Sequence, residues 1–210
     1  MKIAFAIKSC HKYEDRRHAQ LETWLPTLPA NFFFLIGDPA PATGRDFLYC
    51  CGASDAFADI APKVLTAVEH ALGDNVTNLC VLDDDTYVVP SRMLKCGFQH
   101  FDYLGFVRNY GFTPYMQGSC YWLSERAMER IMKNRAYLTP GVPDDVAVGK
   151  ALYGEVPFTH EHRFAIGDPY PEPGRWPRPE NNIISCHKMN PASMRACHRS
   201  PEKRREAPAF

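Results

Sequence analysis

The sequence predicts an α/β fold in which helices flank a mostly parallel central sheet. Three short apolar runs have the character of strands, namely Ile3–Ile7, Asn31–Ile36 and Leu79–Leu82, and such runs suit strands buried on both faces. Segments with helical spacing separate the runs, and three aspartates follow the last one directly. Strands that alternate with helices are typical of doubly wound sheets, whose ligand sites lie at the carboxyl ends of the strands.

Four helices are expected between and after these strands. Asp15–Trp24 forms the first, because Pro26 would end it. Ile60–Leu72 carries apolar residues at helical spacing, and Ser124–Asn134 begins with a serine that can cap a helix. The last predicted helix is Asp144–Tyr153, which starts with two aspartates.

The chain has 210 residues, of which 45% are hydrophobic and 23% charged, as in an ordinary globular protein with one large domain. We therefore assign residues 1–199 to a single domain. Residues 154–182 are rich in loops, and a short strand is expected at residues 183–185. Residues 200–210 are polar, and we interpret them as a tail or as a linker to further domains.

The charges of the chain balance, with 24 basic and 24 acidic residues. Proteins that bind nucleic acid or anionic membranes usually carry a basic surplus, so we expect neither partner. The N-terminal apolar run has five residues, whereas a signal-peptide core needs about 7–15 and a membrane span about 20. We expect no membrane span.

Eight cysteines are present, but their positions form no compact disulfide framework. Cys50 and Cys51 are adjacent, and Cys80 lies inside an apolar run. Because a chain of this length can stabilise itself through its core, reduced thiols and a cytoplasmic location are predicted.

The acidic triplet Asp83-Asp84-Asp85 is the strongest chemical signal in the chain. Three adjacent carboxylates repel one another unless a cation neutralises them, and Mg²⁺ and Mn²⁺ prefer oxygen ligands. Asp83 and Asp85 can point to one side while Asp84 points to the other. The alternative interpretation is a helix cap in a solvated turn. A zinc site at Cys186-His187 and Cys197-His198 is disfavoured, because adjacent residues rarely bind one ion together.

An ordered series of segments resembles the Fringe and β-1,3-galactosyltransferase family of GT-A-fold glycosyltransferases. The segments are Arg16–Trp24, Asp55–Lys63, Asp83–Val88, Tyr115–Ser124 and Pro143–Gly149. Asp144 stands where the family has Glu, and Cys120 where it has Gly. The resemblance implies a single GT-A domain, in a short soluble form such as microbes or large DNA viruses carry. In a virus, the location would be the host cytoplasm.

The resemblance also implies the chemistry. A UDP-sugar would donate its sugar to a hydroxyl of a glycan or glycoprotein acceptor, with inversion of configuration. Asp83 and Asp85 would bind Mn²⁺ or Mg²⁺ against the diphosphate, with His187 as the third ligand and His198 in reserve. Asp145 would be the general base that accepts the acceptor's proton, and its alternative role is to cap a helix.

Residues from five segments are expected to contact the UDP-sugar donor. The first strand would line the nucleotide base, basic residues would neutralise the phosphates, and Gly118 would let the backbone approach the sugar. For each basic residue, an ordinary solvated surface role is the alternative. Either Tyr121 or Trp122 would offer the acceptor sugar a flat apolar face. The predicted donor contacts are Ala6, Ile7, Lys8, Ser9, Arg16, Lys63, Asp83, Asp84, Asp85, Gln117, Gly118 and Ser119.

Two other functions use the same residues. A metal-dependent phosphotransferase or phosphohydrolase could use the aspartates, but the chain has no glycine-rich phosphate loop. A non-catalytic nucleotide-sugar-binding module would keep only the metal site.

Overall fold

A computed structural model describes residues 1–38, 47–165 and 182–199. The strands in these ranges are β1 Ile3–Lys8, β2 Asn31–Asp38, β3 Phe47–Ser54, β4 Asn78–Asp83, β5 Tyr87–Val88, β6 Tyr103–Tyr110, β7 Thr113–Ser124, β8 Phe158–His160, β9 Phe164–Ala165 and β10 Ser185–Cys186. The α-helices are α1 Glu14–Leu21, α2 Ile60–Gly73, α3 Pro90–Leu94, α4 Glu125–Lys133, α5 Asp144–Leu152 and α6 Pro191–His198.

The described strands form a seven-stranded sheet in the order β3-β2-β1-β4-β7-β6-β8. Only β7 runs antiparallel to its neighbours, β4 and β6, and the other adjacent pairs are parallel. The predicted α/β domain with a mostly parallel sheet is therefore confirmed. A second sheet, in the order β5-β10-β9, lies beyond the end of β4.

Helices cover both faces of the main sheet, because side chains alternate along each buried strand. Along β1, Ala4 and Ala6 belong to one core cluster, which α2, α4 and α5 cover. Phe5 and Ile7 belong to the other cluster, which receives side chains from α1, α3 and α6. This arrangement leaves the carboxyl ends of the parallel strands as the edge where loops meet.

The predicted helices agree with the structure to within three residues at their ends. The first helix ends at Leu21 rather than Trp24. Ser124 caps α4 as predicted, since its hydroxyl accepts a hydrogen bond from the backbone N–H of Ala127 at 3.1 Å. Neither Asp144 nor Asp145 caps α5, because the capping position is Pro143.

Several strands and the two helices α3 and α6 were not predicted from the sequence. β6 and β7 contain Gly105, Pro114 and Gly118, residue types that weaken a strand prediction. Their pairing with each other and with β4 outweighs this local preference. β3 and α6 were not predicted, and β8 and β9 lie inside the stretch interpreted as loops. Residues 166–181 and 200–210 are outside the described ranges.

The described helices include none that is both long and apolar enough to cross a membrane. The cysteine thiols that the structure describes are free, and most are buried. Cys80 and Cys120 lie on neighbouring strands with their sulfurs 3.7 Å apart, whereas the two sulfurs of a disulfide are about 2.05 Å apart.

Candidate active site

The site lies at the carboxyl ends of β1 and β4. Lys8 and Asp83 end these strands and are partners in the parallel register. On the other side of β4, Cys120 of β7 pairs with Leu82, so that the residues before Cys120 reach the same edge. Helix α5 packs against β7 there, and the contact is so close that a Cβ on Gly149, in the middle of the helix, would lie 2.5 Å from Tyr115 Cβ.

Asp83, Asp85 and His187 converge. His187 Nε2 lies 3.3 Å from Asp83 Oδ2 and 3.1 Å from Asp85 Oδ1. The small sheet produces this contact, because β10 pairs with β5 directly after the acidic loop and His187 directly follows β10. The backbone N–H of Met189 also donates to the carbonyl of Asp85 at 2.8 Å.

These three side chains could hold a divalent cation. One ligand atom from each can be chosen so that all lie within 4.8 Å of one another, and no other group of three possible ligands occurs among the described residues. Within the same ranges, buried His187 Nδ1 has no hydrogen-bond partner, and the contact of buried Asp85 Oδ1 is the one with His187 Nε2. Carboxylate oxygens and an imidazole nitrogen are suitable ligands for Mn²⁺. The residues therefore fit the predicted ion, and no cysteine joins the group.

In the absence of an ion, His187 supplies the positive charge between the two aspartates. Burial alone would lower the pKa of His187, but hydrogen bonds to Asp83 and Asp85 raise it to about 9. A bound metal would have to replace this proton, because only the neutral imidazole can act as a ligand. His198, the reserve candidate, lies instead in α6, where its Nδ1 is 3.1 Å from the hydroxyl of Tyr87.

Asp84 points away from this group, as the alternation predicted. Its Oδ2 accepts a hydrogen bond from the Ser9 hydroxyl at 2.7 Å, and its Oδ1 accepts one from Arg16 at 3.0 Å. Arg16 also approaches Asp85 at 3.4 Å. Burial raises the pKa of Asp84 to about 6, and the bonds from Ser9 and Arg16 oppose that rise. Asp84 therefore anchors the acidic loop to the loop after β1 and to α1.

Helix α1 supplies two further contacts that the sequence analysis missed. Gln20, fully buried, donates from Nε2 to the carbonyls of Asp83 and Thr86 at 3.3 and 3.0 Å. Arg17 donates to the Ser9 hydroxyl at 3.1 Å. Gln20 lies one helical turn after Arg16, so the two share a face of α1. This spacing was the only feature of the sequence that could have predicted the role of Gln20.

Lys8 is enclosed, with 5% of its surface exposed. Its ammonium lies 2.7 Å from Asp144 Oδ2, 3.0 Å from Asp83 Oδ1 and 2.8 Å from the carbonyl oxygen of Gly118. Burial alone would lower the pKa of Lys8, but the two carboxylates raise it well above its ordinary value. An ammonium has three N–H donors, and all three have acceptors within the protein.

The two aspartates at the start of α5 have different environments. Asp144 is buried against Lys8, and burial raises its pKa to about 6 despite that contact. Asp145 is only half-buried, and its Oδ2 accepts a hydrogen bond from the backbone N–H of Gly118 at 3.1 Å. Its Oδ1 accepts one from the N–H of Val146 at 2.8 Å. Asp145 is thus held at the site edge, and the positive end of the helix favours its negative charge.

Lys63 belongs to a separate buried group. Its ammonium is 2.5 Å from Asp55 Oδ1 and 3.1 Å from the carbonyl of Ser9. Asp55 also accepts hydrogen bonds from the backbone N–H groups of His11 and Gly37, at 2.6 and 2.7 Å. Lys63 therefore holds the loop after β1, in which Ser9 is itself almost buried.

The remaining predicted residues divide between the site edge and the core. Gln117 lies at the edge, with its Oε1 3.4 Å from Arg108 Nε. Ser119 is buried, and its carbonyl accepts a hydrogen bond from the Thr86 hydroxyl at 2.9 Å. Ala6 and Ile7 have no exposed surface and belong to the two core clusters.

Tyr121 and Trp122 are both fully buried, so the expectation that one of them faces an acceptor sugar is wrong. Trp122 stacks on Phe98 with the ring centroids 3.9 Å apart. Tyr121 contacts Tyr103 edge to face on the opposite side of the sheet. Adjacent residues of a strand point to opposite faces, and both faces of this sheet are covered.

No protein-family model matches the chain, and no curated protein matches it. Among solved structures, the chain is similar to the crystal structure of a glycosyltransferase involved in the glycosylation of the major capsid of PBCV-1. The TM-score is 0.54 with 13% sequence identity, and the match covers 95% of this chain and 100% of that chain. The chain therefore has the fold of that glycosyltransferase over nearly its whole length.

Proposed function

We propose that this protein is a metal-dependent, inverting glycosyltransferase that transfers a sugar from a UDP-sugar to a hydroxyl of a glycan or glycoprotein. The observation that carries the proposal is the chain of contacts that connects Asp145, through Gly118 and Lys8, to the group formed by Asp83, Asp85 and His187. Asp145 bonds the N–H of Gly118, whose carbonyl bonds Lys8, which in turn contacts Asp83. The fold shared with a glycosyltransferase and the resemblance to the Fringe and β-1,3-galactosyltransferase family support it.

The reaction needs one group that stabilises a leaving diphosphate and one that accepts a proton. A divalent ion held by Asp83, Asp85 and His187 would supply positive charge beside the leaving diphosphate. Asp145 would accept the proton of the acceptor hydroxyl while that oxygen attacks the anomeric carbon. Direct displacement with one base inverts the configuration. Each oxygen of Asp145 accepts one backbone hydrogen bond, and together the two bonds fix the orientation of the carboxylate.

The donor contacts follow from which predicted residues remain accessible at the site edge. Arg16 is partly exposed and adjoins Asp85, so its guanidinium would also face the diphosphate. Gln117, which is partly exposed, would lie along the donor sugar, whereas Gly118 and Ser119 are buried and would support this part of the site from within the protein. Lys63 would shape this surface from behind rather than contact the phosphates, because its ammonium is enclosed.

The test is a screen of UDP-sugars with Mn²⁺, in which hydrolysis and transfer to sugar acceptors are measured. Asp85→Ala should lose metal-dependent donor binding. Asp145→Asn should keep donor binding and lose transfer by about 10²–10⁴-fold, the usual contribution of a general base. Asp74→Asn is the matched control, because Asp74 is an exposed carboxylate at the end of α2.

Four outcomes would contradict the proposal. Normal transfer by Asp145→Asn would exclude Asp145 as the base, and an axial-to-axial or equatorial-to-equatorial product would exclude inversion. Donor binding without any turnover would favour a nucleotide-sugar-binding module. Turnover of phosphate esters without sugar transfer would favour a phosphohydrolase.

A further inference from the structure

The two oxygens of Asp83 have different partners. Oδ1 lies 3.0 Å from the ammonium of Lys8, and Oδ2 lies 3.3 Å from Nε2 of His187. One oxygen therefore faces the interior of the protein, and the other faces the group that could hold a cation. Asp85 Oδ1 lies 3.1 Å from the same Nε2 atom of His187, so it faces that group as well.

Lys8 cannot easily release Oδ1. Its side chain is 4% exposed, and its other two acceptors are Asp144 and the carbonyl of Gly118, on α5 and β7. Moving the ammonium would leave the buried carboxylate of Asp144 without its cation, which is strongly unfavourable. The backbone of Gly118 also lies close to the ammonium, because a Cβ on Gly118 would be 3.2 Å from Lys8 Nζ. The ammonium therefore has little space to move towards β7.

We propose that Lys8 is a positioning residue that restricts Asp83 to one metal-binding oxygen, Oδ2, by holding Oδ1 in a separate ion pair. This inference rests on the proposed metal site and deepens it. A carboxylate that binds through one oxygen suits small ions with strict octahedral geometry, such as Mg²⁺ and Mn²⁺. Ca²⁺ takes six to eight oxygens and readily accepts both oxygens of a carboxylate. Lys8 would thereby select small divalent ions over Ca²⁺.

The test compares Mn²⁺ and Ca²⁺ binding without nucleotide, so that it does not depend on sugar transfer. The informative variant is Lys8→Met with Asp144→Asn, which removes one positive and one negative charge together. Free Mn²⁺ is measured by electron paramagnetic resonance, and Ca²⁺ by competition. Partners of metal ligands change affinity by about 10- to 100-fold when mutated, and we expect the ratio of Mn²⁺ to Ca²⁺ affinity to fall by at least about tenfold.

Asp144→Asn alone is the matched control. It keeps Lys8 against Asp83, so the ratio of the two affinities should stay at the wild-type value. A folded double variant with the wild-type ratio would overturn the role of Lys8 while leaving the metal site intact. Failure of the wild-type protein to bind Mn²⁺ would overturn the proposed metal-dependent function itself, and the inference with it.

A second measurement uses the wild-type protein, which avoids any loss of folding in the variants. In a crystal structure with Mn²⁺, Asp83 should bind the ion through Oδ2 while Oδ1 remains on Lys8. Coordination through both oxygens, or through Oδ1, would overturn the proposal.

Discussion

The backbone N–H of Gly118 donates a hydrogen bond to Asp145 Oδ2 at 3.1 Å. The carbonyl of the same residue accepts one from Lys8 at 2.8 Å. One residue of β7 therefore bonds both the proposed base and the lysine that contacts Asp83. A side chain at this position would meet both, because a Cβ on Gly118 would lie 3.2 Å from Lys8 Nζ and 3.3 Å from Asp145 Oδ2.

Gly118→Ala should reduce transfer more than stability. The added methyl group meets side-chain atoms of Lys8 and Asp145 at 3.2 and 3.3 Å, so a shift of tenths of an ångström relieves the contact and the destabilisation should stay near the lower end of about 1–3 kcal/mol. A displaced base lowers the rate, and a misplacement of about 1 Å can lower it about 100-fold. Transfer kinetics and thermal unfolding measure the two effects. Gly73→Ala is the control, since nothing lies within 4 Å of the added carbon. Wild-type transfer by Gly118→Ala would contradict this prediction.

Asp84→Ala should destabilise the protein more than it weakens metal binding. Asp84 is buried and accepts hydrogen bonds from Ser9 and Arg16, and a hydrogen bond to a charged group contributes about 1.5–3 kcal/mol. Urea unfolding in EDTA measures the loss, and Mn²⁺ titration measures the binding. Asp85→Ala should weaken Mn²⁺ binding more than it destabilises the protein. Equal losses of Mn²⁺ binding in the two variants would show that Asp84 is also a ligand.

The metal-free protein should lose stability as the pH rises through about 9. The folded pKa of His187 is raised to about 9 from an ordinary value of 6.5. Its contribution is therefore fully present below about pH 6.5 and disappears above the folded pKa. In EDTA, the wild type should have a higher free energy of unfolding than His187→Asn. This difference should be largest at pH 6 and should shrink as the pH rises. A difference independent of pH between 6 and 10 would contradict the prediction.

The pH dependence of metal binding should run in the other direction. Because a metal ligand must be neutral imidazole, Mn²⁺ binding releases the proton of His187 and should tighten from pH 6 to pH 9. Isothermal titration in two buffers of different ionisation enthalpy measures the released proton. His187→Asn should release no such proton when Mn²⁺ binds. If it still releases one, the proton comes from another group.

Trp122→Phe should lower stability without changing acceptor binding. Trp122 stacks on Phe98 and donates from Nε1 to the sulfur of Met93 at 3.1 Å. Replacing a buried Trp by Ala typically destabilises by about 3–5 kcal/mol, and Phe, which fills more of the space, should cost less. The melting temperature and the acceptor KM measure the two properties. A raised acceptor KM with an unchanged melting temperature would show that Trp122 contacts the acceptor.

Periodicity along the sequence predicted those parts of the fold that local chemistry controls. β1, β2 and β4 are continuous apolar runs, and the helices carry their apolar residues at helical spacing. β7 escaped prediction because Pro114 and Gly118 disfavour a strand locally. Its ladder with β4 and β6 stabilises it through distant residues, which no local pattern contains.

The sequence by itself determined the α/β class, the acidic loop after β4 and the opposite directions of Asp83 and Asp84. These features depend on strand alternation and on residues close together in the chain. The tertiary structure decided between His187 and His198 and brought His187 to Asp83 and Asp85, because the β5–β10 pairing spans about a hundred residues. It also decided that Lys8 contacts Asp83 and Asp144, and that Trp122 is buried. Packing brings charges together and covers both faces of a sheet, and that outcome depends on the whole chain.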